Sequence, residues 1–259
     1  MDSKNIKNQM IKFLKDETAS RGFEKVIIGI SGGLDSAIVS ILAKEVFGDK
    51  LLGILMPSQF SSQSSIDDAK ELCEKFDINY EIASVEDYIM AFIENNNLKH
   101  DDSNSDADKL RIGNFSARAR MSTLYDISSR DSRLVLGTSN LSEIYLGYGT
   151  IYGDIACAIN PLGEMFKSDE YEYGKFLGVP DSILNKKPSA DLWEGQSDED
   201  ELGHTYASLD LILKAYRDGL NEKELMENFD KDKVKFCLHK ITTNTYKGEL
   251  PAIAKLENY

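Results

Sequence analysis

Cysteine and histidine are scarce in this chain, with three of each in 259 residues. Cys73, Cys157 and Cys237 lie too far apart to read as a disulfide framework or a zinc site. Their free state fits a reducing cytosol, so a cytoplasmic protein is expected. No stretch reads as a membrane span, a secretory leader or a lipidation signal, so no membrane partner is expected. Internal repeats and long low-complexity tracts are lacking. Basic residues are outnumbered, 30 Lys and Arg against 44 Asp and Glu, for a net charge of −14. A surface this acidic repels phosphate backbones, which argues against a nucleic-acid partner.

What is present begins with Val26-Ile27-Ile28-Gly29-Ile30, an apolar β-branched run that reads as a buried parallel strand. It breaks into Ser31-Gly32-Gly33-Leu34-Asp35-Ser36, and an apolar helix pattern follows. A strand, a glycine turn and a helix start together make an anion site. The first helical N–H groups have no intrahelical partner, and the dipole is positive there. Gly32 and Gly33 admit a phosphate close to the backbone. Asp35 beside bound phosphates calls for a cation between them, and Mg²⁺ suits a carboxylate plus phosphate oxygens. The turn is neither a Walker loop nor G-x-G-x-x-G. Gly29-Ile30-Ser31-Gly32-Gly33 does match G-x-S-x-G, so a serine hydrolase is an alternative, needing a downstream acid and histidine.

With 41% hydrophobic residues the chain can bury one sizeable core, and a single domain over 1–259 is expected. Residues 3–20 read as an amphipathic lead-in helix. Leu51–Met56 is a second buried strand, followed by a mobile Ser/Gln-rich loop at 58–65. A helix over 66–76 places Cys73 in the core, then come a strand at 80–83 and a helix over 85–93. Residues 95–108 read as a solvated loop, and Gly113 opens a long helix carrying Arg118 and Arg120. Leu134–Thr138 is the next strand. Thr138–Glu143 reads as a capping box, with Glu143 either a cap or a second metal carboxylate. Lys167 at a helix start opposes the dipole, which points to a ligand anion. Residues 186–199, with the only Trp at 193, read as a loop that closes over a site. The rest is helical, with Cys237 packed inside. The fold class is α/β, a doubly wound, mostly parallel sheet flanked by helices.

Ser31-Gly32-Gly33-Leu34-Asp35-Ser36 resembles the SGGxDS signature of the N-type ATP pyrophosphatases, which cut ATP between its α and β phosphates to adenylate a substrate. Four further blocks, in order, resemble the NAD synthetases of that family. They are Gly113–Met121, Gly137–Glu143, Gly147–Leu162 and Pro188–Glu199. The resemblance implies an adenine nucleotide alpha-hydrolase-like fold. It implies ATP contacts at Gly29, Ile30, Ser31, Gly32, Gly33, Leu34, Asp35, Ser36, Thr138, Lys167 and Ser189. Mg²⁺ would be held by Asp35 and Glu143, and deamido-NAD by Arg118, His239 and Lys240. The chain departs from the family at Ile151, where many members carry Lys, and at Ala158, where they carry Asp. Those charges contact deamido-NAD in such members, so nicotinate mononucleotide is an alternative substrate. The implied reaction adenylates deamido-NAD and then amidates it with ammonia, giving NAD, AMP and pyrophosphate. No side chain stands out as a general base. The length leaves no room for a glutaminase domain, so ammonia dependence is expected. The resemblance also implies a homodimer.

Overall fold

A β-branched run has no face suited to water, and Val26–Gly29 becomes strand β1 in the interior of a parallel sheet. In this computed structural model, residues 2–101, 103–189 and 196–255 are described. The centre of the expected closing loop, 190–195 with Trp193, lies outside the described residues. Helix α1 (Ser3–Ser20) leads into β1, and α2 (Leu34–Phe47) leaves it. Then come β2 (Leu51–Leu55), α3 (Gln63–Lys75), β3 (Tyr80–Ile82), α4 (Glu86–Asn95), α5 (Asp106–Asp131) and β4 (Leu134–Val135). The sheet order is β3-β2-β1-β4, and every pairing is parallel, with Val26 opposite both Leu51 and Leu134. The chain winds outward from β1 to β3, then crosses back to lay β4 on the other side of β1. That reversal puts the topological switch point at the carboxyl ends of β1 and β4, where such sheets bind ligands.

Alternation along the strands divides the core into two layers. Val26, Ile28, Leu51 and Leu55 pack with α1, α2 and α3 on one face. Ile27, Leu52, Ile54 and Val135 pack against Leu124 and Ile127 of α5 on the other. The C-terminal part is helical: α6 (Leu141–Leu146), α7 (Lys167–Leu177), α8 (Asp181–Leu184), α9 (Asp198–Leu202), α10 (Tyr206–Arg217), α11 (Glu222–Asn228) and α12 (Lys231–Asn244). Leu209, Ile212, Leu213, Leu225, Val234 and Cys237 form a further cluster under α6. Cys73 and Cys237 are buried as expected, while Cys157 is half-buried. No helix among the described residues is long and apolar enough to cross a membrane.

Several boundaries differ from the sequence reading. Helix α5 starts at Asp106, seven residues before Gly113, because Ser105 caps it and Asp106 and Asp108 sit in its positive first turn. What reads as a solvated loop is therefore partly helix. Helix α3 likewise begins at Gln63, inside the expected mobile loop, because the Ser62 side chain accepts from Ser65 N. Strand β4 is shorter than expected, and Leu136 continues it only as a parallel bridge to Ile159.

Candidate active site

A cavity of about 650 Å³ opens at the switch point, a volume suited to a small-molecule ligand. Its floor is the turn after β1. Ser36 Oγ donates to Gly33 O at 3.0 Å, and Gly33 N donates to Ser31 Oγ at 3.2 Å. The turn is thus tied to itself, and α2 starts at Gly33 with no side-chain cap. Its first residues, Leu34, Asp35 and Ser36, line the cavity, and no side chain caps their N–H groups. Gly32 has φ +79° and abuts the backbone of Ser65, so a Cβ there would overlap the Ser65 carbonyl. Backbone cannot yield as a flexible side chain can. Gly32→Ala is expected to lower stability by at least about 2 kcal/mol. It is also expected to weaken ATP binding, as read by thermal melting and a binding titration. Gly22→Ala separates the two causes, since Gly22 has φ +76° but nothing within 4 Å of its Cβ position. It should show only the strain of the left-handed backbone, about 1–2 kcal/mol.

Asp35 stands in the first turn of α2 and meets two partners from distant segments. Asn140 Nδ2 donates to its Oδ1 at 2.7 Å, and Lys167 Nζ donates to its Oδ2. Lys167 is 3% exposed and also lies 3.2 Å from Glu170 Oε2. Asn140 is the N-cap of α6 and completes the capping box. Its Oδ1 accepts from Glu143 N at 3.0 Å, and its own N donates to Glu143 Oε2 at 3.2 Å. One side chain therefore sets Glu143 and Asp35 side by side.

The electrostatics follow from a buried excess of carboxylates. Burial pushes the Asp35 carboxyl up, but the Lys167 charge and the hydrogen bonds at Asp35 more than offset it, and the net direction is down. Burial, then the Asp35 charge, drive both Glu143 and Glu170 well above the usual carboxylate range. Burial opposes the charge on Lys167, yet Asp35, Glu170 and Glu143 together hold its ammonium well above its ordinary value. Asp198, at the start of α9, is pushed to about 6, mainly by burial, and accepts from Tyr148 OH at 3.2 Å.

The structure brings together most residues singled out in the sequence. Gly29 to Ser36, Thr138, Glu143, Lys167, Ser189 and Lys240 all line the cavity. Arg118 and His239 do not. Arg118 is exposed and its Nε donates to Ile151 O at 3.3 Å; His239 is exposed on α12. Of the arginine pair, Arg120 reaches the cavity wall, with Nε donating to Met56 O at 3.1 Å. Lys247 also lines the cavity, and its Nζ donates to Gly147 O at 2.7 Å and Gly149 O at 3.1 Å. Sequence reasoning missed Asn140 as a bridge, Glu170, Asp198 and Lys247. The Asn of Gly-Thr-x-Asn-x-x-Glu was the available signal for the first. On either side of 190–195, Asp198 N donates to Pro188 O at 3.0 Å, and Lys186 pairs with Asp68 at 3.0 Å.

The hydrolase alternative fails on geometry. A triad needs a histidine within hydrogen-bond reach of the serine. Among the described residues no histidine lines the cavity with Ser31. His100 is exposed, and His204 packs edge-on against Phe236 at 5.1 Å.

Comparison with known proteins supplies the remaining observation. Residues 6–251 match the family model described as NAD synthase. A curated relative from Wolinella succinogenes, named NH(3)-dependent NAD(+) synthetase, is 47% identical over 251 residues, covering 96% of this chain and 95% of its own. The solved NH3-dependent NAD synthetase of Campylobacter jejuni, in complex with the nitrate ion, is 33% identical with a TM-score of 0.82, covering 98% of this chain and 100% of its own. The solved NMN synthetase of Francisella tularensis is 32% identical, also with a TM-score of 0.82, and covers 100% of both chains.

Proposed function

The chain belongs to the NAD synthase family, and from that membership we propose how its cavity divides the work of the reaction. The enzyme is a ligase that forms a C–N bond. ATP adenylates the nicotinate carboxylate of deamido-NAD, pyrophosphate departs, and ammonia displaces AMP to give NAD. The observation that carries the residue assignment is the placement of Asp35, Glu143 and Lys167 together at the mouth of the glycine turn.

In this reading the N–H groups of the turn and of the α2 start orient the triphosphate. Thr138 and Ser189, which both line the cavity, contact the nucleotide. Lys167 leaves Asp35 to meet a phosphate oxygen and neutralises charge gathering on the pyrophosphate, which is where such catalysis acts. The attacking group is already a carboxylate, so the first step needs no base. Asp35 and Glu143 are half-buried carboxylates lining the cavity, hard oxygen donors of the kind that would hold Mg²⁺. Among the described residues no group of three or more His, Cys, Asp or Glu could hold a metal by itself. When bound to Asp35 and Glu143, Mg²⁺ would supply positive charge at the leaving pyrophosphate.

Lys240 and Lys247 also line the cavity and suit the acidic groups of deamido-NAD. Arg118 donates to the Ile151 carbonyl and is exposed, which leaves it free to serve a substrate bound between two copies of the chain in a homodimer. His239 is the weakest of the substrate assignments, being outside the cavity wall. Product analysis tests the reading. With ATP, Mg²⁺, deamido-NAD and ammonium together, AMP, pyrophosphate and NAD are expected in equal amounts. ADP as the product would overturn it. The uncharged Ile151 and Ala158, with the full-length likeness to an NMN synthetase, favour a second reading with nicotinate mononucleotide as the amidated acid. The ratio of kcat/KM for the two substrates decides between them.

A further inference from the structure

Helix α7 carries Lys167 as its first residue, yet it has no cap of its own. Phe166 is its N-cap and offers no side-chain hydrogen bond. Free N–H groups at a buried helix start need acceptors. Here they come from elsewhere in the chain. Lys167 N donates to Ser142 Oγ at 2.9 Å, and Ser168 N donates to Asp210 Oδ2 at 2.8 Å. Ser142 in turn donates to Asp210 Oδ1 at 2.6 Å. Asp210 lies on α10 and is 1% exposed; Ser142 is 0% exposed and directly precedes Glu143. Both oxygens of one buried carboxylate are thus spent on the backbone start of α7 and on the second residue of α6. A carboxylate at this point also offsets the repulsion between the α7 dipole and the Lys167 charge.

We infer that Asp210, through Ser142, is a positioning residue that sets Lys167 and Glu143 in register with Asp35. The C-terminal helical layer thereby becomes part of the ATP site without touching ATP. This rests on the reading of Lys167 as a phosphate contact. Its chemistry is a clamp: an acceptor fixed by two donors on two helices holds their starts at one separation. Substitution should let α7 shift or fray at its first turn, and the ammonium would then miss its target.

The test is a pair of variants and a cycle. Asp210→Asn keeps the shape but leaves one acceptor oxygen for two donors, Ser168 N and Ser142 Oγ; Ser142→Ala removes the relay. Each is expected to lower kcat/KM for ATP about tenfold, the size of one misplaced hydrogen bond at a charged site. Each should also weaken ATP binding measured in EDTA, where no metal contributes, by a similar factor. Added to Lys167→Met, neither should weaken that binding further, since both act through Lys167. Asp169→Ala is the structural control. It removes the 2.7 Å Lys214 pair between the same two helices on their exposed side, and should lower Tm with kcat/KM unchanged. The inference is overturned if Asp210→Asn and Ser142→Ala behave like this control, or if their losses multiply with that of Lys167→Met. If Lys167→Met alone binds ATP normally in EDTA, the phosphate reading fails and this inference falls with it.

Discussion

Lys167→Met is expected to lower kcat/KM for ATP by about 10²–10³, the loss seen when one preorganised donor is withdrawn from developing charge. It should also be the substitution in this site that most damages the fold. Lys167 is the cation lying between Asp35 and Glu170; Lys167 and Glu170 are buried, and Asp35 is half-buried at the cavity. Removing it leaves Asp35 hydrogen-bonded to Asn140, with burial acting to raise its carboxyl. Breaking a buried pair in this way costs about 3–5 kcal/mol. The sign of the pH dependence follows. In the wild type Asp35 is held below its ordinary value, so its pairing stabilises the fold above the unfolded carboxylate range and fades as pH falls. In the variant the same carboxyl is raised, so the fold is penalised at neutral pH and recovers as acid protonates it. Urea unfolding at neutral and mildly acidic pH should show the gap between the two proteins narrowing. Lys167→Arg should not restore activity, because a planar fork does not fit where a compact ammonium is gripped from two sides.

Asp35→Asn is expected to do the reverse: remove activity by about 10³, roughly 4 kcal/mol of barrier, while the fold is nearly unchanged. The asymmetry comes from Glu170. Its carboxyl is driven up by burial and then by the Asp35 charge, and neither oxygen makes a hydrogen bond of sound geometry. Once Asp35 is neutral that repulsion is gone. Glu170, 3.2 Å from Lys167, is then the carboxylate best placed to serve as its counterion. The new Asn has one acceptor oxygen for the two donors, Asn140 and Lys167, so Glu170 takes over the Lys167 side. Steady-state turnover and urea unfolding, measured on one preparation, check both halves. A variant that loses several kcal/mol of stability would mark Asp35 as a structural carboxylate. The double variant Asp35→Asn with Lys167→Met should be more stable than Lys167→Met alone and equally inactive.

The parts of the site that were legible in the sequence are those written in consecutive residues. Val26 to Ser36 announce a buried strand and an uncapped helix start without help from the rest of the chain, and both are found. Lys167 stood out because a cation at a helix start is locally unfavourable, and the structure explains it by the carboxylates it faces. Glu170 did not stand out, because an acid in a first helical turn is the ordinary case; only burial beside Asp35 makes it unusual. Asp210 was equally silent, being one polar residue inside an apolar stripe of α10 that meets α6 and α7 only in three dimensions. The early start of α5 was hidden by a polar, acidic stretch that reads as solvated loop but serves as a capped first turn. His239 and Lys247 show the limit of dipeptide likeness. The chain turns after α12 so that Lys247, not His239, meets the cavity.

The most direct measurement is a crystal structure of the protein with a non-hydrolysable ATP analogue and Mg²⁺. The expected result has the triphosphate against the glycine turn and the start of α2, the ion bound by Asp35 and Glu143, and Lys167 turned from Asp35 to a phosphate oxygen while still held by Glu170. A glycine turn left empty, or an ion seated away from Glu143, would contradict the account.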